Sequence, residues 1–182
     1  MGKFKDTTAP GMYSDDAEMS VGLMKALLRG GIAIRKGDML EAWREEWDLA
    51  KERPQPAAVT IWKGGERAGH GSVKDYFRGD STLESLREYQ ANGTKRGKPV
   101  GNAPPMRALA IGFVSDPTER ARLSRENADA THPHPEARAA SLVIASACQH
   151  LVVQRGEREA VIRTALAEVS PLCLSARWLT AD

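Results

Sequence analysis

The stretch Tyr13-Ser14-Asp15-Asp16-Ala17-Glu18-Met19 decides how the rest of the chain is read. A hydroxyl and two adjacent carboxylates stand at the head of a segment whose apolar residues recur at Met19, Leu23, Met24, Leu27 and Leu28. That spacing follows one face of a helix and predicts α-structure from about Asp16 to Arg29, stopped by Gly30-Gly31. Ser14, Asp15 and Asp16 then lie where backbone N–H groups lack intrahelical partners and the helix dipole is positive. Two roles suit them. Ser14 or Asp15 caps the helix, with Glu18 completing a capping-box-like pattern from Asp15. Alternatively, the clustered hydroxyl and carboxylate oxygens hold a hard cation such as Mg²⁺, Ca²⁺ or Mn²⁺.

The same periodicity recurs downstream. Asp38 reads as the start of a second helix, with Glu41 three residues on, a stripe of Leu40, Trp43, Trp47 and Ala50, and Pro54 and Pro56 closing it. Its tryptophans read as core anchors. Residues 57–80 are ambiguous between a short strand at Val59-Thr60-Ile61-Trp62 and a Gly-rich loop, in which His70 reads as a surface residue. Ser81 is placed to cap a helix through Tyr89. From Asn92 to Pro105 the chain turns to Gly, Lys, Arg, Asn and Pro, a long irregular connection of the kind often used functionally.

Beyond it, Pro105 suits the first turn of a helix carrying Met106, Leu109, Ala110 and Phe113. Asp116-Pro117-Thr118-Glu119 marks another helix start. Thr131-His132-Pro133-His134-Pro135 precedes the longest helical pattern, about Glu136 to Gln154, with an apolar face of Ala140, Val143, Ile144, Ala147 and Leu151. A last helix spans about Glu157 to Val169 and is ended by Pro171. The fold class is all-α, with residues 1–182 forming a single domain.

Composition agrees with that class. Aromatic content is 5%, the apolar fraction is 41% and the charged fraction 27%. The 26 basic and 24 acidic residues nearly cancel, which argues against nucleic acid or an anionic membrane as partner. Cys148 and Cys173 fall in apolar surroundings without metal-ligand spacing and read as reduced thiols of a cytoplasmic protein. No apolar run reaches transmembrane length, and no signal-peptide pattern opens the chain.

Two further stretches carry chemistry. The segment Gly97-Lys98-Pro99-Val100-Gly101-Asn102-Ala103-Pro104-Pro105-Met106-Arg107 offers close backbone approach and a helix entrance to an anion, with Lys98 and Arg107 adding charge. A plain Gly/Pro loop is the competing reading. His134 is placed to cap the helix that Pro135 begins, while His132 stands either as a structural residue or beside a nucleotide at the helix entrance. Zinc is disfavoured, since no third soft ligand sits near the two histidines.

In their order along the chain, these stretches resemble the ADP-ribosylglycohydrolase family, which includes the dinitrogenase reductase-activating glycohydrolase and the J1 crystallins. The family pattern Thr-Asp-Asp-Thr-x-Met resembles Ser14-Asp15-Asp16-Ala17-Glu18-Met19. Gly-Asn-Gly-x-x-Met-Arg resembles Gly101-Asn102-Ala103-Pro104-Pro105-Met106-Arg107. Thr-His before an alanine-rich helix resembles Thr131-His132 before Ala137-Arg138-Ala139-Ala140. The resemblance implies an orthogonal all-α bundle that cleaves the glycosidic bond joining ADP-ribose to a side chain or small molecule, with Mg²⁺, two ions in a complete family member. It implies Ser14, Asp15 and Asp16 as metal ligands, Gly101, Asn102 and Met106 along an ADP-ribose loop, and His132 beside the nucleotide. It singles out no catalytic residue.

The chain also departs from the family pattern. Ala17 replaces a threonine and Ala103 a glycine, and neither the family's opening Gly-Asp helix nor its closing Asp-x-Asp-Thr motif is matched. The expectation is therefore the central part of the family fold, incomplete at both ends, with bare apolar surface that invites self-association or a complementing chain. Beside the hydrolase stand two rivals: a module that binds ADP-ribose without turnover, and a structural protein indifferent to metal and nucleotide.

Overall fold

A computed structural model of the chain describes residues 15–52 and 103–173. The features expected at residues 1–14, the strand or loop of 57–80 with His70, the helix at Ser81–Tyr89, most of the Asn92–Pro105 connection, and Pro54 and Pro56 lie outside them. Every regular element among the described residues is helical: α1 Asp15–Gly30, α2 Lys36–Glu52, α3 Ala103–Arg107, α4 Pro117–Asp129, α5 Pro135–Cys148 and α6 Val161–Cys173. None of these helices is long and apolar enough to cross a membrane.

Helices α1 and α2 pack directly against each other across a short connection. Met19, Leu23 and Ala26 are the inward face of α1, while Met24 and Leu28 of the expected stripe are 40% and 86% exposed. The stripe is narrower than its apolar residues suggested because small residues do part of the packing. A Cβ on Gly22 would lie 2.8 Å from Trp43 Cδ1, so only glycine lets α2 approach this closely. The chain leaves α1 through Gly31, whose φ of +58° costs a glycine nothing. A 3-10 turn, Gly31–Ala33, then leads to buried Ile34.

Helix α2 begins two residues before Asp38. Asp38 is inside its first turn, and its Oδ2 accepts from the Arg35 N–H at 2.8 Å, the return half of a capping box. Met39, Leu40, Ala42 and Trp43 of α2 are buried, and Trp43 Nε1 donates to the Met19 carbonyl at 2.9 Å. Trp43 is thus the core anchor its position in the pattern implied. Lys25 pairs with buried Glu46, and Arg29 with Glu45 at 2.6 Å, where the two helices meet.

The second described segment opens with the short α3, which runs straight into a 3-10 helix, Ala108–Phe113. That change of period splits the expected face, keeping Met106 and Ala110 inward and turning Leu109 and Phe113 out. With three residues per turn, Ala108, Ala110, Ile111 and Gly112 are buried, while Leu109 and Phe113 are 52% and 58% exposed. Helix α4 starts as expected: Asp116 Oδ1 accepts from the Glu119 N–H at 2.9 Å, with Pro117 at the first helical position.

Helix α5 is central, packing against α3, the 3-10 helix, α4 and α6. Its buried face is Ala137, Arg138, Ser141, Leu142, Ala145, Ser146 and Cys148; of the expected face, Ala140, Val143 and Ala147 are half-buried, with Val143 packed on the smaller apolar cluster, while Ile144 and Leu151 are turned outward. Small residues face the neighbours that come closest. A Cβ on Gly112 would fall 2.7 Å from the Ala145 carbonyl oxygen. After Cys148 the helix widens into a π-helical turn, Gln149–Val153. Pro171, expected to end the last helix, lies inside α6, which continues to Cys173.

The main apolar cluster joins α1, α2, the 3-10 helix, α4 and α5 through Met19, Leu23, Trp43, Ile111, Leu123 and Ala145. A smaller one joins α4, α5 and α6 through Ala121, Leu142 and Val169.

Candidate functional site

The three stretches that drew attention in the sequence meet at one buried cation. Arg107, the last residue of α3, has no solvent exposure, and its guanidinium stacks on Trp43 with the carbon 3.7 Å from the ring centroid. Its Nε donates to Asn127 Oδ1 at 2.6 Å, and its Nη2 to the Asn127 carbonyl at 2.8 Å and to Thr131 Oγ1 at 2.7 Å. Its Nη1 reaches Met19 Sδ at 3.7 Å. Because a guanidinium only donates, the orientation of Asn127 is determined: Oδ1 faces Arg107, and Nδ2 donates to the Pro104 carbonyl and Ser141 Oγ, both at 2.9 Å.

Thr131 and His132 occupy the turn that leaves α4. The His132 N–H closes on the Ala128 carbonyl at 2.6 Å and the Thr131 N–H on the same oxygen at 3.1 Å, which delivers both side chains to the α4–α5 junction. His132 is 7% exposed, and its Nδ1 lies 2.9 Å from Thr131 Oγ1. Burial, and secondarily the positive charge of Arg107, lower its pKa to about 4, so the imidazole is neutral near pH 7. His134 does what its place before Pro135 implied, its Nδ1 accepting from the Glu136 N–H at 3.3 Å as the cap of α5. Close by, Arg138 Nε donates to Asp129 Oδ1 at 2.6 Å, yet burial raises the Asp129 pKa against that pairing.

The expected site residues divide as follows. His132 is in the junction just described. Met106 is partly buried and packs on the main apolar cluster beside Arg107. Asp15 opens α1, and Asp16 is exposed on its first turn, where its carbonyl accepts from Ser20 Oγ at 2.7 Å. Ser14, Gly101, Asn102 and Lys98 lie outside the described residues. Arg107 requires a correction. Its place after the Gly/Pro loop suggests charge for an incoming anion, but its fork is turned inward onto Asn127 and Thr131 because α3 ends in the core.

Asn127 is the residue sequence reasoning passed over. In Arg125-Glu126-Asn127-Ala128-Asp129 it looks like one more polar position on a surface helix, and no local pattern distinguishes it.

Among the described residues, no three of His, Cys, Asp or Glu cluster closely enough to hold a metal ion. The donor types at the head of α1 are hard oxygens, the kind Mg²⁺ takes. The turn that presents them is anchored from below, since Met19 is held by Trp43 through its carbonyl and by Arg107 through its sulfur.

A family model described as ADP-ribosylglycohydrolase matches residues 1–181. No curated protein and no solved structure matches the chain.

Proposed function

The chain belongs to the ADP-ribosylglycohydrolase family, and from that premise we propose that it hydrolyses an ADP-ribosyl glycosidic linkage with the help of Mg²⁺, releasing ADP-ribose from a modified protein side chain or small molecule. The observation that carries the proposal is the convergence on Arg107. One guanidinium touches Met19 of the acidic stretch, follows Met106 in the loop stretch and bonds Thr131 of the Thr-His stretch. Three segments far apart in sequence are thereby held at one place, as a binding cleft assembled from all three requires.

In this reading Ser14, Asp15 and Asp16 hold the metal, whose positive charge would orient ribose hydroxyls and lower the pKa of a bound water. The chain's own residues do the remaining work. Gly101, Asn102 and Met106 line the ADP-ribose loop, and His132, neutral and almost buried, lies beside the nucleotide. Trp43 and Arg107 keep the first turn of α1 from shifting relative to Thr131 and His132.

The test is release of ADP-ribose from ADP-ribosyl-arginine and ADP-ribosyl-serine in the presence of Mg²⁺. Asp16→Asn removes one charge while keeping size, and turnover should fall on the order of a hundredfold, the scale on which one charge-stabilising group acts. Wild type that binds ADP-ribose but never releases it from either substrate would refute hydrolysis and leave a binding module.

A further inference from the structure

We propose that Asn127 is a positioning residue for the nucleotide: its amide fixes the short helix α3, and with it the placement of Met106 relative to His132, and so governs how tightly ADP-ribose is held. The identity of the ligand rests on the function proposed above; the positioning rests on hydrogen-bond geometry alone. Helix α3 has five residues, too few to hold its own shape, so contacts with the rest of the bundle decide where it lies. Asn127 ties it at two points. Its Nδ2 donates to the Pro104 carbonyl at 2.9 Å, while its Oδ1 and its backbone carbonyl accept from Arg107 Nε and Nη2 at 2.6 and 2.8 Å. Met106 lies between the two tied residues.

The turn that carries His132 starts from the next residue along, because the Ala128 carbonyl receives the N–H groups of both Thr131 and His132. A shift of the Asn127 amide therefore moves α3 against His132. The orientation of that amide is determined on both sides. Oδ1 faces a guanidinium, which can only donate, and the two Nδ2 hydrogens go to the Pro104 carbonyl and Ser141 Oγ. Asn127 has no solvent exposure, so water does not stand in for a lost bond.

Two substitutions separate these bonds. In Asn127→Asp the carboxylate keeps the acceptor that faces Arg107, and Ser141 Oγ can turn its own proton towards it. The Pro104 carbonyl alone loses its donor and meets a second oxygen, which pushes the start of α3 away. Ser141→Ala does the converse, removing the serine partner and leaving the bond to Pro104 in place.

ADP-ribose affinity, measured by calorimetry, should fall about tenfold in Asn127→Asp and stay within about threefold of wild type in Ser141→Ala. With ADP-ribosyl-arginine as substrate, the loss should appear in KM with kcat unchanged, since ground-state and transition-state binding weaken together. A merely structural role would instead reduce the folded fraction and lower turnover at unchanged KM, the behaviour expected of Glu168→Ala on α6. Wild-type affinity in Asn127→Asp, or a loss no greater than in Ser141→Ala, overturns the proposal. Without ligand, amide exchange of residues 106–111 should quicken in Asn127→Asp, and unchanged exchange there refutes the tie to α3. The chain has three asparagines, so the side-chain hydrogens of Asn127 can be followed in wild type itself. They should exchange with water far more slowly than those of free asparagine; equal rates overturn the proposal without any variant having to fold. Slow exchange in a wild type that binds no ADP-ribose would reject the ligand and the function beneath it, and leave Asn127 only as the anchor of α3.

Discussion

Folding removes His132 from water while the unfolded chain leaves it there, and this makes stability depend on pH in a definite direction. Unfolded, the ring takes up a proton near pH 6.5; folded, only near pH 4. Between those values the unfolded state holds the extra proton, so stability is lost as pH falls from 6.5 to 4 and this group contributes no further change below that. The full span is worth roughly 3 kcal/mol. Urea midpoints at pH 7, 5 and 4 should therefore drop more steeply for wild type than for His132→Gln. Parallel curves would place the acid sensitivity elsewhere. Legibility at this scale was uneven. Thr131-His132 stood out in the sequence, but the inward turn of Arg107 did not, because its acceptors Asn127 and Thr131 lie 20 and 24 residues away. A basic side chain at the end of a Gly/Pro loop looks the same whether it meets a phosphate or a buried asparagine.

Among the elements, the helices themselves were more legible than the faces they bury. Caps and breakers act locally, so Asp116-Pro117 and His134-Pro135 marked true helix starts. Faces depend on what packs opposite. Helix α5 presents Ala145 where the 3-10 helix comes within backbone contact at Gly112, keeps Leu142 inside against the smaller apolar cluster, and turns Ile144 outward to 37% exposure. The 3-10 segment hides its face for another reason: a pattern read at 3.6 residues per turn selects the wrong side chains when the period is three. The close crossing gives a sharp prediction. Gly112→Ala would set a methyl against the Ala145 carbonyl and the Cys148 side chain, and the carbonyl belongs to a helix that cannot yield locally. A loss of about 1–3 kcal/mol is expected from overpacking, read as a lower urea midpoint at unchanged slope. Gly37→Ala, where a Cβ meets nothing within 4 Å, is the matched control and should be near neutral or stabilising.

Across the molecule, the two described segments are joined by more than the shared apolar cluster. Arg122 donates to the carbonyls of Ile32 and Ile34, and Glu126 accepts from the Lys36 N–H at 2.9 Å, so α4 grips the α1–α2 turn. Helix α6 is attached differently. It buries Ala165 and Val169 but leaves Ile162 and Leu166 at 64% and 50% exposure, and its strongest polar tie is a two-pronged pair, Arg120 Nε to Glu168 Oε1 at 3.0 Å and Nη2 to Oε2 at 2.9 Å. Arg120 is itself buried and also donates to the carbonyls of Val114 and Ser115 at 2.6 and 3.2 Å. With little apolar area holding it, α6 should open before the rest of the bundle, and the Arg120–Glu168 pair should govern how often. Removing Glu168 would deprive the buried Arg120 guanidinium of this carboxylate, a loss on the order of 1.5–3 kcal/mol for a charged hydrogen bond. Native-state hydrogen exchange should accordingly speed up in α6 about ten- to a hundredfold in Glu168→Ala, with the amides of α1 and α2 unchanged. Equal acceleration in every helix would mean that α6 unfolds only with the whole, and that the smaller apolar cluster, not the ion pair, is what fastens it.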